Sequence, residues 1–516
     1  MVGNEYPAMM RKKWLATWFA SLFMLFSTWS VSSPIGSSPD DNFHLTSIWC
    51  AWGSWDYCDE DPYPNAPEKD VLIPTQLRDA TCFVRTWPID PLESPSCQSK
   101  TRGNLDLVSS EQNVRQYPPV YYGVMRIFAS SSIETSVLLM RIFNSVIAVT
   151  FLAAAFLTVS PRIRTGLMTS WMLLLFPLTV FLISSVNPSS WTIIGVGTFW
   201  AFLSEAMSYK TYHRRSFAVI GAIASAVLAS SARKDSVVFL IVVSVAVLIW
   251  KFNDVKNTKL YNSIYSHKTL SSIVLLFLLS GIFLTVRFVD SNFTYGLPSD
   301  NNWALYITNL VDLPTYLVGM LGGWGRPDWP LGLGWFDTSV PVIVPMLSLL
   351  TLGYFIFSNV RYLNRLQISA SITLLTFLVV FPLHTLQVQN RTGDFFLQPR
   401  YLLPLAITLV GVLCTPGRKD GQFGNPQFQR IPFFFLVAVS MMGIIAMHVN
   451  LGRYTLNRDA TKQYLPFNIS NNKTWWWDNF PDPMIIWGVA TVATVLLCFA
   501  WNAVTSSTKL TSSINL

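Results

Sequence analysis

The clearest candidate for chemistry is the segment Pro-Asp-Asp-Asn-Phe-His at positions 39–44, which follows the first long apolar stretch. Asp40 and Asp41 are adjacent, so one carboxylate can face a cavity while the other holds backbone or a cation. A carboxyl group desolvated near a membrane has a raised pKa, which suits a general base that accepts a hydroxyl proton. The alternative is a helix N-cap with acidic residues in the first turn and His44 hydrogen-bonded in the core.

A tyrosine-rich segment and a polar pair form the next candidates. Tyr117, Tyr121 and Tyr122 lie in Gln-Tyr-Pro-Pro-Val-Tyr-Tyr, where the prolines enforce an extended approach and the tyrosines can donate hydrogen bonds at a membrane interface. Arg141 and Asn144 lie one helical turn apart in an apolar stretch, and an ionisable residue within a span indicates a polar cavity. The alternatives are an architectural role for the tyrosines and snorkelling of Arg141 to the surface.

Two turns and a glycine-rich motif are predicted on the same side of the membrane. Asn187 lies in the turn Ser-Ser-Val-Asn-Pro, and Arg233 and Lys234 open a charged turn. Trp335 and Asp337 lie in Leu-Gly-Leu-Gly-Trp-Phe-Asp-Thr, at the end of a segment too broken by Pro and Gly to span a membrane. We expect that segment to lie on the membrane and to offer its polar side chains to a site.

Two further arginines are predicted at the membrane surface. Arg326 belongs to the same broken segment, and Arg400 lies between Gln398 and Tyr401 in Gln-Pro-Arg-Tyr, where the chain enters a span. The guanidinium of Arg400 can bind a phosphate through two parallel hydrogen bonds at headgroup depth. The alternative is that it anchors lipid headgroups.

The composition requires membrane helices to position these motifs. Hydrophobic residues make up 51% and charged residues 12% of the 516, and the mean hydropathy is +0.39, so a soluble surface cannot be built. The 20 Trp and 35 Phe suit two membrane–water interfaces. We predict an all-α polytopic protein with cytoplasmic termini and an uncleaved first helix. The twelve predicted spans are 14–33, 135–159, 166–184, 191–207, 217–232, 236–250, 270–289, 341–358, 368–387, 401–415, 432–448 and 484–502.

This division places every motif above on the outer face, because the short inner loops carry the basic residues that face the cytoplasm. The predicted segments are 1–33 with the first span, 34–134 outer, 135–289 with spans two to seven, 290–340 outer, 341–448 with spans eight to eleven, 449–483 outer and 484–516 with the last span. The inner loops are too short for a domain, so chemistry is predicted outside.

Four of the six cysteines, Cys50, Cys58, Cys82 and Cys97, fall in segment 34–134. They predict two disulfides, with three pairings open. Without a Cys-x-x-Cys pair, a zinc site is not favoured. The basic residues are scattered among loops, which argues against nucleic acid as a partner. The absence of a glycine-rich phosphate loop argues against an ATP-driven pump.

In their joint order from Pro39 to Tyr401, these motifs resemble a family of bacterial polytopic membrane proteins, formerly of unknown function, that is placed with the GT-C glycosyltransferases. The resemblance implies transfer of a sugar from a polyprenyl-phosphate donor to a cell-envelope glycan or glycolipid, at the outer face of the bacterial plasma membrane, with inversion. The rival interpretations are a flippase for lipid-linked sugars and a non-catalytic membrane scaffold.

The resemblance also implies roles for individual residues. The general base is Asp40, with Asp41 and His44 as organisers. The groups for the departing lipid phosphate are Arg400, Arg233, Lys234 and Arg141. The substrate cavity takes Tyr117, Tyr121, Tyr122, Asn144, Asn187, Arg326, Trp335, Asp337, Gln398 and Tyr401. No cofactor is favoured. A divalent metal is the alternative, because some branches bind one through such acids, and Asp-Asp stands here where Asp-Glu is frequent.

Overall fold

The structure is a computed structural model that describes residues 5–60, 70–84, 94–98, 107–111, 117–208, 212–256, 303–321, 332–388, 390–392, 398–419, 422–423, 431–457, 465–470, 474–477 and 480–507. The first half of the chain forms helices α1 Glu5–Val31, α2 Asp41–Trp49, α3 Thr75–Arg78, α4 Pro119–Met125, α5 Ile133–Thr158, α6 Pro161–Leu174, α7 Val180–Ile183, α8 Ser189–Ala206, α9 Tyr212–Ser230 and α10 Ser236–Lys256. The second half forms α11 Trp303–Gly319, α12 Ile343–Val360, α13 Arg365–Val388, α14 Leu403–Cys414, α15 Phe433–Leu456 and α16 Pro483–Ser507.

Seven of the described helical stretches are long and apolar enough to cross a membrane. They are Lys12–Val31, Ile133–Thr158, Pro161–Ile183, Ile343–Val360, Arg365–Val388, Phe433–Leu456 and Pro483–Ser506. Two shorter apolar helices, Ser236–Phe252 and Leu403–Cys414, accompany them. Every predicted span on described residues coincides with a helix, and 270–289 lies outside those residues. The all-α membrane class is therefore confirmed, but these helices do not reach the predicted twelve spans.

The stretch from Pro161 to Ile183 lies at the centre of the bundle together with α8. The apolar part of this stretch is buried along its whole length. Phe176 is non-helical, with φ −106° and ψ 143°, because the proline that follows it disfavours the helical backbone. Helix α9 crosses α8 closely at Gly195, where a β-carbon would lie 2.5 Å from the carbonyl oxygen of Ser225. Helix α16 packs along α1, so the first and last described helices are neighbours in the bundle.

The described parts of segment 34–134 cover the end of the bundle at which α1 ends and α5 begins. Strands β1 Asp59–Glu60, β2 Asp70–Pro74 and β3 Leu107–Glu111 form an antiparallel sheet in that order. A second, two-stranded sheet pairs β4 Arg418–Lys419 with β5 Gln422–Phe423. Disulfides join Cys50 to Cys58 and Cys82 to Cys97. The prediction of two disulfides is confirmed, and the structure selects the sequential pairing.

The charged turn after α9 divides the stretch 217–250 into two helices. Helices α9 and α10 are separate, and residues 231–235 form the turn between them. The interpretation of 217–250 as two helices joined by a charged turn is confirmed. The turn brings Arg233 to the same end of the bundle as the loop that follows α1.

Arg141 of α5 holds that loop, residues 32–40, in place. Its Nη1 donates to the carbonyl oxygens of Ser30 and Ser33 at 2.9 and 2.7 Å, and its Nη2 donates to that of Pro34 at 2.7 Å. The Ser30 carbonyl lies in the last turn of α1 and the other two follow that turn, where carbonyl groups lack N–H partners from the helix. Arg141 is 1% exposed and its Nη groups bind backbone carbonyls. Its side chain therefore does not snorkel to the membrane surface.

We expect Arg141→Gln to lower stability, because up to three buried carbonyl groups lose their donor at about 1–3 kcal/mol each. The measurement is the unfolding temperature of the purified protein in nanodiscs. The control is Arg361→Gln, since the Arg361 side chain is exposed. Equal unfolding temperatures for Arg141→Gln and the wild type would contradict this role.

Candidate functional site

Asp40 stands where loop 32–40 meets α2, and its backbone is unusual. With φ 64° and ψ 19° it adopts the left-handed conformation, which is rare for a non-glycine residue. Its carbonyl oxygen accepts the N–H groups of Phe43 and His44 at 3.0 and 2.8 Å, so it is the N-cap of α2. Its side chain does not cap the helix. The N-cap interpretation is therefore right for the backbone and wrong for the carboxylate.

The carboxylate of Asp40 binds Arg400, which lies in the 3-10 turn Pro399–Tyr401 before α14. Arg400 Nη2 donates to Asp40 Oδ2 at 2.5 Å and to the Tyr401 hydroxyl at 3.3 Å. Arg400 is 3% exposed, whereas the Asp40 side chain is 38% exposed. Arg400 Nε and Nη1 have no hydrogen-bond partner among the described residues. The pair thus combines an accessible carboxylate with a buried guanidinium that has two nitrogen atoms without hydrogen-bond partners among the described residues.

A second guanidinium completes the group. Arg233 forms an ion pair with Asp235 at 2.8 Å, and its guanidinium lies 4.4 Å from the ring centre of Tyr401 and 5.7 Å from that of Tyr117. The guanidinium of Arg400 lies 5.2 Å from the ring centre of Tyr401. Asp40, Arg400, Arg233, Tyr401 and Tyr117 are called the Asp40 cluster below.

His44 links this cluster to the tyrosines of α4. Its Nδ1 lies 2.9 Å from the hydroxyl of Tyr122, and its ring centre lies 5.4 Å from that of Tyr117. Burial lowers the pKa of His44 to about 3, so the imidazole is neutral at physiological pH. Burial also raises the pKa of Tyr122, which keeps its hydroxyl protonated. A neutral, hydrogen-bonded histidine suits the predicted organising role.

The two adjacent carboxylates have opposite environments. Burial raises the pKa of Asp41 to about 7, although the charge of Arg141 and a hydrogen bond from the Ser38 N–H oppose the shift. That N–H donates to Asp41 Oδ2 at 3.0 Å, and Oδ1 has no partner among the residues described.

Burial also raises the pKa of Asp40, but the positive charges of Arg400 and Arg233 and the hydrogen bond from Arg400 outweigh burial and bring the pKa below its ordinary value. The predicted raised pKa therefore belongs to Asp41, and the expectation for Asp40 is wrong in the free protein.

Three other predicted residues shape the surroundings of the cluster. Asn187 Nδ2 donates to the carbonyl oxygen of Pro39 at 3.0 Å, which fixes the residue before Asp40. Asn144 Nδ2 donates to the carbonyl oxygen of Ser185, and its Oδ1 accepts from Trp191 Nε1 at 2.9 Å. The ring of Tyr121 packs edge-on against Trp191 at 5.1 Å. Like Arg141, these residues hold backbone segments in place or pack in the core of the bundle.

Asp337 does not join the Asp40 cluster. Its Oδ2 accepts from Arg453 Nη2 at 2.8 Å, and both side chains are almost fully buried. The neighbouring Trp335 donates from Nε1 to the carbonyl oxygen of Gly36 at 2.8 Å. Arg453 was missed from the sequence because the eleventh span was predicted to end at residue 448, whereas α15 continues to Leu456. The sequence signal for this residue was an ionisable side chain in the eight residues between position 448 and the end of α15.

The remaining predicted residues have less defined surroundings. Gln398 precedes the turn of Arg400, and its Oε1 is buried with no partner in the described part of the chain. Lys234 is half-buried beside Arg233, and Arg326 lies outside the described residues. Within the described ranges, no three Asp, Glu, His or Cys side chains are grouped to hold a metal ion.

The fold and the cluster define a multi-pass helical membrane protein with a charged, partly open site at one end of its bundle. Residues 23–409 match the family model described as "Predicted membrane protein (DUF2142)", and the chain belongs to that family. No curated protein and no solved structure matches the chain.

We expect Asp41→Asn to make stability less dependent on pH. Because the folded pKa of about 7 lies above the ordinary value of 3.8, the wild type loses a few kcal/mol of stability as the pH rises from 3.8 to about 7. The variant has no proton to lose, so its unfolding temperature above about pH 7 should exceed that of the wild type.

The measurement is the unfolding temperature in nanodiscs between about pH 5 and 8. The control is Asn42→Ala, an exposed change on the same helix, whose effect should be equal at every pH. A wild-type curve parallel to that of Asp41→Asn would contradict the raised pKa.

Proposed function

We propose that the protein is a GT-C-type glycosyltransferase that moves a sugar from a polyprenyl-phosphate donor to a cell-envelope glycan or glycolipid acceptor. The observation that carries the proposal is the Asp40–Arg400 pair, in which an accessible carboxylate binds a buried guanidinium with two unpartnered nitrogens. In such a pair the carboxylate can accept a proton, and the guanidinium beside it can bind an anion. The order of motifs resembling GT-C enzymes supports the same activity.

In the proposed reaction, Asp40 takes the proton from an acceptor hydroxyl group. The acceptor oxygen then bonds to the anomeric carbon of the donor sugar from the face opposite the phosphate. The bond between that carbon and the phosphate oxygen breaks, and its electron pair leaves with polyprenyl phosphate. Configuration at the anomeric carbon is inverted.

The cations of the cluster are suited to the departing phosphate. Arg400 Nε and Nη1 together carry three N–H donors, and neither nitrogen has a hydrogen-bond partner among the described residues. Arg233 adds a second positive charge beside Tyr401. Preorganised donors of this kind stabilise charge that develops in the transition state. Lys234 belongs to the same turn and is proposed to assist.

Donor binding would also strengthen the base. In the free protein, Arg400 and Arg233 lower the pKa of Asp40. A bound phosphate adds negative charge near Asp40 and shares these two cations, and both effects raise the pKa of the carboxyl group. Asp40 would therefore become a better proton acceptor only when the donor is present.

The proposed placement is the outer face of the bacterial plasma membrane, with twelve spans and both termini in the cytoplasm. Helices α8, α9, α10 and α14 and the stretch 270–289 would supply the spans beyond the seven long apolar ones. Under this topology the Asp40 cluster, segment 34–134 and the polar residues before α16 share the outer side.

We expect Asp40→Asn to reduce sugar transfer by about 10²- to 10⁴-fold, the contribution of a general base. Transfer is measured with purified protein in nanodiscs, a panel of polyprenyl-phosphate sugars and a crude envelope acceptor. The control is Asp79→Asn, which removes a partly exposed carboxylate paired with Arg78 at 2.9 Å. Unchanged transfer by Asp40→Asn would remove Asp40 as the base. A folded wild type that binds donor but transfers nothing would favour a flippase.

The pH profile separates the two carboxylates. With Asp40 as base, kcat/KM should stay level as the pH falls from about 8 to about 5, because the free-protein pKa is below its ordinary value. The acid limb of kcat should lie at higher pH than that of kcat/KM, since bound donor raises the pKa. A fall in kcat/KM below about pH 7 would instead identify Asp41 as the base, in accord with its pKa of about 7.

A further inference from the structure

A cleft lies at the same end of the bundle as the Asp40 cluster. Its cavity volume is about 100 Å³. Ile35 follows α1 and Glu134 begins α5, so the cleft is at the end of the bundle that carries loop 32–40. The residues that matter for its chemistry are Gln76, Gln98, Glu134, Thr474, Trp475 and Trp476. It is called the Trp475 cleft below.

The walls of the cleft are fixed by bonds between distant parts of the chain. Ser94 Oγ donates to Thr474 Oγ1 at 3.1 Å, and Gln98 Nε2 donates to the carbonyl oxygens of Ile35 and Ala80, each at 2.7 Å. The disulfide between Cys82 and Cys97 anchors the wall that carries Gln98. The N–H of Thr474 donates to the carbonyl oxygen of Thr455 at 2.9 Å. A preformed cleft of this kind is typical of a binding site.

Its lining combines aromatic rings with hydrogen-bonding groups. The rings of Trp475 and Trp476 have centres 4.5 Å apart and planes inclined by 47°. Neither indole N–H has a hydrogen-bond partner among the described residues, and Trp476 is only 7% exposed. Gln76, Gln98 and Glu134 add amide and carboxylate groups around the rings.

This combination matches a sugar better than other ligands. A pyranose or furanose ring has an apolar C–H face, which stacks on an indole, and a rim of hydroxyl groups, which pair with amides and carboxylates. Glu134 brings a carboxylate to the cleft, and no Lys or Arg is among the described residues that line it. The negative charge of Glu134 disfavours phosphate headgroups and nucleotides and favours an uncharged saccharide.

We propose that the Trp475 cleft binds sugar residues of the acceptor glycan and presents its growing end to Asp40. The link between the two sites is loop 32–40, because Ile35 lines the cleft and Asp40 ends the same loop. The acceptor role rests on the proposed glycosyltransferase function. Binding of saccharide to the cleft does not depend on it.

The first experiment measures binding without any donor. Hexasaccharides of glucose, N-acetylglucosamine, mannose, rhamnose and arabinose are titrated one by one into the full-length protein in nanodiscs, with saturation-transfer NMR as the readout. At least one should bind saturably, and Trp475→Ala should weaken it about tenfold or more, the cost of losing an aromatic anchor. Glu134→Gln, which keeps the shape of the side chain, should weaken the same probe.

The matched control is Trp52→Ala, a tryptophan of segment 34–134 that is 64% exposed and lies outside the cleft. Its saccharide affinity should equal that of the wild type. If no hexasaccharide binds saturably, or if Trp475→Ala and Glu134→Gln both bind as the wild type does, the cleft is not a saccharide site.

Transfer kinetics then separate this inference from the proposed function. Trp475→Ala should raise KM for the acceptor about tenfold, while KM for the donor and kcat stay within about twofold. Transfer with an unchanged acceptor KM would overturn the acceptor role and leave the glycosyltransferase intact. Saccharide binding that depends on Trp475, in a protein that never transfers sugar, would keep the binding site and overturn the proposed function.

Discussion

The contact between the Arg141 guanidinium and the backbone carbonyls after α1 determines the geometry of the candidate site. Loop 32–40 leaves a membrane helix with its last carbonyls unpaired, and a buried unpaired carbonyl is costly. Arg141 satisfies three of them. Asn450 Nδ2 binds the carbonyl oxygen of Ser32 at 3.0 Å, and Asn187 binds that of Pro39. The loop is therefore held from α5, α15 and the turn before α8, and Asp40 has little freedom in where its carboxylate points.

Within that loop, one peptide bond separates two carboxyl groups with different chemistry. The left-handed backbone of Asp40 turns its side chain out to Arg400, while Asp41 enters the core at the start of α2. The charges of Arg400 and Arg233 keep Asp40 ionised against the effect of burial, whereas desolvation favours the protonated form of Asp41. Adjacent acids thus support a division of labour between an accessible carboxylate and a buried group that braces the loop through Ser38.

The loop also joins the cluster to its neighbours. Trp335 donates to the carbonyl oxygen of Gly36, and the segment that carries Trp335 is anchored by the buried ion pair between Asp337 and Arg453. Ile35 contributes to the Trp475 cleft. A displacement of the loop would therefore move the Asp40 cluster and one wall of the cleft together.

Local features of the sequence sufficed for the membrane class, the positions of most apolar helices and the number of disulfides, and they singled out the residues that form the Asp40 cluster. Hydropathy, charge and cysteine content can be recognised over short stretches, which is why these features were predictable. The sequence did not show which carboxylate has the raised pKa, that Asp337 pairs with Arg453, or that Trp475 shares a cleft with Gln98 and Glu134. Each of these depends on groups far apart in the chain; Asp40 and Arg400 are separated by 360 residues. Only tertiary packing decides which distant charge or ring faces a given side chain, and burial and electrostatics follow from that choice.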